Sequence, residues 1–174
     1  MRMIFLSVLL LAGVGPAQSK EDAWEPFRFF VGAWQGTASG QAGSGKVERE
    51  YRFLLNNKFL KVRNRSTYPP QQKNPRGEVH EDVGFISQDR QRKKAVLRQF
   101  HVEGFVNQYL LESVSADGKQ IVFLSESIEN LPPGWRARET YRLLGPDEFT
   151  EEFALAEPGK EFELYSKNHL KRKR

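Results

Sequence analysis

Any chemistry in this chain must come from a short stock of side chains. There are three histidines, His80, His101 and His169, and no cysteine, so thiolate nucleophiles and thiolate metal sites are excluded. No His-x-x-x-His pair and no Gly-x-Ser-x-Gly elbow occurs. The acidic pairs Glu81-Asp82 and Glu151-Glu152 are adjacent, so in a strand each straddles two faces and cannot form a facing acid–base couple within itself. Glycines over residues 40–45 lack the Lys-Ser/Thr ending and following helix of a phosphate cradle. Histidines on strand faces are mostly hydrogen-bonded packing residues; His101, beside a hairpin tip, is the best placed exception.

A row of polar residues is the more promising constellation. Residues 95–111, AVLRQFHVEGFVNQYLL, place two apolar-rich runs around Glu103-Gly104, the form of a β-hairpin closed by a two-residue turn. That turn sets Phe100 opposite Asn107 and Arg98 opposite Tyr109. With Asp117-Gly118 closing the next hairpin, Leu111 faces Leu124 and Tyr109 faces Glu126. Arg98, Tyr109 and Glu126 then lie in one row across three strands about 4.8 Å apart, beside Phe100. Turned inward, the guanidinium and phenol form a seat for the anionic head of a mostly apolar ligand, with Glu126 holding Arg98. Turned outward, the same row is ordinary cross-strand packing, and a one-residue slip in either hairpin dissolves it. In residues 136–144 the alternation puts Ala137, Glu139, Tyr141 and Leu143 on one face and Arg136, Arg138 and Arg142 on the other. The first face suits an interior, which adds Glu139 and Tyr141 to the candidates; Glu139 is alternatively a solvated edge charge.

The elements that position these residues are strands. Period-two alternation is clearest at Val47, Arg49, Tyr51 and Phe53, which oppose Glu48, Glu50 and Arg52. Strands are expected at residues 31–37, 47–53, 59–66, 80–89, 95–102, 105–114, 120–127, 136–144, 148–155 and 161–170, separated by turn signals such as Asp89-Arg90 and Gly145-Pro146-Asp147. No helical periodicity follows residue 31. A meander of about ten amphipathic strands must close or split, because open edges are a liability. The expected fold is therefore all-β, an antiparallel up-and-down closed barrel with a short N-terminal helical cap and room for one small ligand.

The 174 residues are 39% hydrophobic and 28% charged, enough for one domain. Met1-Arg2, an apolar stretch over residues 3–14 and the small residues Gly15 and Ala17 have the form of a secretory signal peptide, too short to span a bilayer. The expected organisation is a signal at 1–17, a linker and cap at 18–30, a barrel at 31–170 and a basic tail at 171–174, in an exported, periplasmic or secreted protein without stable membrane insertion after cleavage. Losing Arg2 with the signal lowers the formal charge from +5 to +4, all of it in the four basic residues of the tail. The body is near neutral and the tail reads as a solvated end, so no nucleic-acid partner is expected.

Phe29-Phe30-Val31-Gly32-Ala33-Trp34-Gln35-Gly36, an aromatic turn leading into a G-x-W-x-G first strand, resembles the opening of the nitrobindin-like β-barrels, grouped with the fatty-acid-binding-protein-like branch of the calycins. The resemblance extends to the spacing of ten strands. It implies a cavity for an apolar ligand with a polar head, commonly received by an arginine and a tyrosine, a role Arg98 and Tyr109 match in chemistry. It also implies a second possibility, haem held through a histidine on the last strand, where His169 lies, acting on small nitrogen or oxygen species. Otherwise no cofactor is expected. The remaining alternatives are a scaffold with a filled core and an enzyme using Glu126 or Glu139 with His101.

Overall fold

The computed structural model describes residues 22–174; the expected signal peptide lies outside the described residues. One short helix, α1 (Glu25–Arg28), precedes ten strands: β1 (Gly32–Gly40), β2 (Gly43–Leu54), β3 (Phe59–Tyr68), β4 (Glu78–Asp89), β5 (Lys94–His101), β6 (Val106–Val114), β7 (Gln120–Glu129), β8 (Arg136–Gly145), β9 (Glu148–Ala156) and β10 (Glu163–Arg172). Each strand pairs antiparallel with the next, and β10 pairs with β1, so the sheet closes into a barrel with no free edge. The expected fold class holds, with nearly every strand within two or three residues of its expected limits.

Closure depends on a close approach between the first and last strands. Gly36 sits opposite Leu170, and a Cβ on Gly36 would lie 1.8 Å from the His169 carbonyl oxygen. Only glycine lets β1 and β10 come this near.

One end of the barrel is filled. Pro26, at the start of α1, suits a first turn whose N–H groups have no intrahelical acceptor, and the helix drops Phe27 into the barrel. Phe27, Phe30, Trp34, Phe123 and Phe149 are all essentially inaccessible. Phe30 meets Tyr51, Tyr141 and Phe149 with ring centroids 5.3, 5.3 and 5.1 Å apart. Trp34 lies edge-on to Phe149 at 4.9 Å and donates its indole N–H to the Phe30 carbonyl at 2.6 Å. These aromatic pairs, offset or edge-on, make a dry plug.

Two expectations change here. The basic tail does not simply trail into solvent: β10 runs through Arg172, which donates to Asp147 at 2.8 Å and to the carbonyls of Val31 and Phe29 at 2.8 and 2.9 Å. Its guanidinium also stacks over Trp34, 4.1 Å from the ring centroid, so it ties the last strand to the plug. The β5–β6 hairpin, in turn, closes over three residues. His101 N–H donates to the Phe105 carbonyl at 3.0 Å and Gly104 N–H to that of His101 at 2.9 Å, with Gly104 at φ +88°. Phe100 therefore faces Val106, Arg98 faces Gln108, and Tyr109 faces Leu97. An odd loop in place of an even one turns one strand over relative to the other. At the next hairpin the expected register holds beside the turn, with Val114 opposite Ile121. Irregularities between Leu111 and Ser113 and between Gln108 and Tyr109 then set Tyr109 opposite Ser125 and leave Glu126 unpaired in the ladder.

Candidate functional site

Above the plug the interior turns polar. Inward positions at this level carry Arg49 (β2), Asn64 (β3), Asp82 (β4), Gln99 (β5), Asn107 (β6), Glu139 (β8), Glu151 (β9) and Asn168 (β10), all buried. They form the floor of a cavity of about 490 Å³ that opens at the end carrying the β1–β2, β3–β4, β5–β6, β7–β8 and β9–β10 connections.

The cavity has two unlike walls. Phe105, Ile128, Leu131, Trp135, Phe153 and Leu155, from the β6 to β9 side, make an apolar wall. Asn64, Ser66, Tyr68, Glu78, His80, Asp82, Gln99 and His101, from β3 to β5, make a polar one. An amphipathic ligand has a matching surface on each side.

The floor is an ordered polar network. Arg49 Nη2 and Asn168 Nδ2 both donate to one oxygen of Glu151, at 2.8 and 2.7 Å. Asn64 donates to Asp82 Oδ1 at 2.7 Å, and Asn107 to the Tyr109 hydroxyl at 2.9 Å. His80 Nδ1 lies 2.8 Å from Glu103 Oε1, and its Nε2 lies 3.6 Å from Asp82 Oδ2 and 3.5 Å from His101 Nδ1. Contact with Asp82, reinforced by Glu103, pulls His80 up to about 9, whereas burial pushes His101 down. Glu139 has no partner for Oε2. Burial, with the Glu151 and Asp82 charges nearby, pushes the Glu139 carboxyl well above the usual carboxylate range, which favours its protonated, hydrogen-bond-donating form.

Side-chain oxygens of Asn64, Gln99, Asn107, Glu139 and Asn168 are buried without hydrogen-bond partners, and all five residues line the cavity. An orphaned buried acceptor costs about 1–3 kcal/mol. Five around one open space mark a surface that a bound molecule can complete.

The expected candidates divide between the two faces. Glu139 and His101 line the cavity. Tyr109 and Tyr141 point inward but lie in the packed core, Tyr141 between Phe30 and Phe123. Arg98 belongs to the outer face, where Nε donates to Gln108 at 2.9 Å and Nη1 to Ser87 at 3.3 Å. Glu126 accepts there from Gln108 at 3.1 Å and pairs with Arg92, and Phe100 is 47% exposed. The Arg98–Tyr109–Glu126 row does not form, because the three-residue hairpin loop sets Arg98 and Tyr109 on opposite faces. His169 also points outward, 2.6 Å from Glu148, since its neighbours Asn168 and Leu170 take the inward positions.

Several cavity residues carry a signal in the sequence itself. Arg49 alternates with Val47 and Tyr51, Asn64 with Val62, and Glu151 with Phe149 and Phe153. A polar residue in phase with an apolar face is the mark of a buried polar site.

No protein-family model and no curated protein matches the chain. Among solved structures, the crystal structure of Rv2717c from M. tuberculosis is similar with a TM-score of 0.66 at 17% identity, over 87% of this chain and 98% of that one. A redesigned β-barrel and a de novo designed fluorescence-activating β-barrel give TM-scores of 0.44 at 11% and 12% identity, each over 84% of this chain and over 93% and 95% of theirs. The likeness to Rv2717c is one of fold, an antiparallel β-barrel. Among the described residues no helix is long and apolar enough to cross a membrane.

Proposed function

We propose that this chain is an exported small-molecule carrier or receptor of the calycin type, which holds one amphipathic ligand in the open half of its barrel. The observation that carries the reading is the ring of unpartnered buried side-chain oxygens beneath a cavity with one apolar wall. A filled-core scaffold has no use for either. The ligand's apolar body lies against Trp135, Phe153 and Leu155, and its head reaches the floor.

The head that suits this floor differs from the anion expected for an Arg98–Tyr109 seat. Glu78, Asp82, Glu103 and Glu151 line the cavity against Arg49 and two histidines, and Arg49 already serves Glu151. A hydroxyl- or amine-bearing head supplies the donors that the orphaned oxygens lack. The aromatic turn and the Gly32-Ala33-Trp34-Gln35-Gly36 strand, which here build the plug, support placement near the nitrobindin-like and fatty-acid-carrier barrels.

Native mass spectrometry of protein purified from its producing cell, followed by extraction of the retained compound, tests the proposal. A retained amphipathic molecule that quenches tryptophan fluorescence on rebinding, and binds less well to Trp135→Ala, is the expected result. Protein that carries nothing and takes up neither long-chain alcohols, amines nor fatty acids overturns it. Uptake of added haemin with a Soret band lost in His101→Ala would favour the haem alternative, through a cavity histidine in place of His169.

A further inference from the structure

The polar wall contains a second constellation that does not depend on an organic ligand. His80 and Asp82 alternate along the inner face of β4, and His101 on β5 is the register partner of Asp82. One ligand atom from each lies within 4.8 Å of the others, and they are the group of metal-ligating side chains that the described residues bring together. The geometry points to a divalent transition-metal site built from His80 Nε2, Asp82 Oδ2 and His101 Nδ1, with its remaining positions open to the cavity.

The spacing suits an ion. Donors at adjacent positions around a first-row ion bound at about 2.1 Å lie about 3.0–3.4 Å apart. His80 Nε2 is 3.5 Å from His101 Nδ1 and 3.6 Å from Asp82 Oδ2, and all three ligand atoms lie within 4.8 Å of one another, so Asp82 and His101, the wider pair, must draw together by about an ångström to close the shell. Two imidazoles and one carboxylate are a donor set suited to zinc or iron(II) with open positions for water or a further ligand.

Each donor is also held from behind, which ordinary surface clusters of His and Asp lack. Glu103 Oε1 accepts from His80 Nδ1–H at 2.8 Å, so a metal ion would displace the Nε2 proton that otherwise faces Asp82. Asn64 fixes the other Asp82 oxygen at 2.7 Å. Asn107 lies 3.2 Å from His101 Nε2 and 2.9 Å from the Tyr109 hydroxyl, while its own oxygen has no partner. With the amide turned over, that oxygen accepts from both the His101 Nε2–H and the Tyr109 O–H. His101 then carries its proton on Nε2, and its Nδ1 lone pair is free for the metal. A carboxylate or amide behind each metal-binding imidazole is the usual way of fixing its tautomer. Gln99, 3% exposed and with an unpartnered oxygen, adds another donor to the same cavity.

Co²⁺ and Zn²⁺ binding to the tag-free, chelator-stripped full-length protein tests the assignment. One Co²⁺ per chain, with visible absorption that Zn²⁺ displaces, is the expected result. His80→Gln, Asp82→Asn and His101→Gln should each weaken binding by about 30-fold or more, and Glu103→Gln by about 10-fold, as removing a partner behind a ligand does. His169→Ala, on the outer face, should bind as the parent does. In case the variants misfold, Zn²⁺ added to the unmodified protein should shift the ring resonances of His80 and His101 and leave those of His169 in place. No binding of either ion, binding retained by an Asp82→Asn/His101→Gln double variant that keeps its far-ultraviolet circular dichroism, or shifts confined to His169 would overturn it.

Discussion

Arg49 and Glu151 meet at 2.8 Å across the middle of the barrel, their side chains each 5% exposed. The pair joins β2 to β9 through the interior, two strands that are not neighbours in the sheet. Removing one member leaves the other charge buried and alone, which costs about 3–5 kcal/mol. Arg49→Met should therefore lower the unfolding free energy by about that much in urea titrations, whereas Arg49→Met/Glu151→Leu should recover a large part of it. Equal stability of the single and double variants would contradict this account.

Glu139 makes the barrel sensitive to pH in a direction opposite to most paired carboxylates. Burial raises its folded-state pKa above the ordinary 4.5. Its contribution to stability is thus complete below pH 4.5 and is lost as pH rises toward and through the folded value, at about 1.4 kcal/mol per pH unit. Glu139→Gln stays neutral at every pH. Parent and variant should unfold alike near pH 4, and the variant should be the more stable by about 1 kcal/mol or more at pH 7 to 8. Thermal or urea unfolding across that range measures the divergence.

Arg172 links the last strand to two carbonyls, one carboxylate and an indole face at once. Arg172→Ala should destabilise by about 2–3 kcal/mol, the scale of hydrogen bonds to a charged group. Arg172→Lys should recover little, because an ammonium cannot reproduce the planar fork or the stacking. Removing Lys173 and Arg174 alone should change the midpoint far less, and differential scanning calorimetry separates the two cases.

Arg98 belongs to the outer face with Gln108 and Ser87. Arg98→Ala should leave occupancy of the cavity unchanged and shift stability by less than about 1 kcal/mol. Asn107→Leu, on the cavity side, should weaken ligand retention. A competition assay with the extracted ligand compares them directly; a loss on Arg98→Ala would return the site to the outer row.

The alternation of Val47, Arg49, Tyr51 and Phe53 against Glu48, Glu50 and Arg52 was enough, with its counterparts along the chain, to determine ten strands and a closed antiparallel barrel. Side-chain period two is a local property, and strands must bury one face. The same local pattern placed Glu139 and Tyr141 inward.

Tertiary structure alone decided which face of β5 meets which face of β6. Glu103-Gly104 is compatible with a two- or a three-residue loop, the choice is worth little locally, and it turns Arg98 from the interior to the surface. The gathering of His80, Asp82, His101, Arg49, Glu139 and Glu151 around one cavity likewise depends on barrel closure, which brings residues a hundred positions apart to the same level. No spacing along the chain encodes that level, because it is set by the accumulated register of ten strand pairs and by the bulges between them.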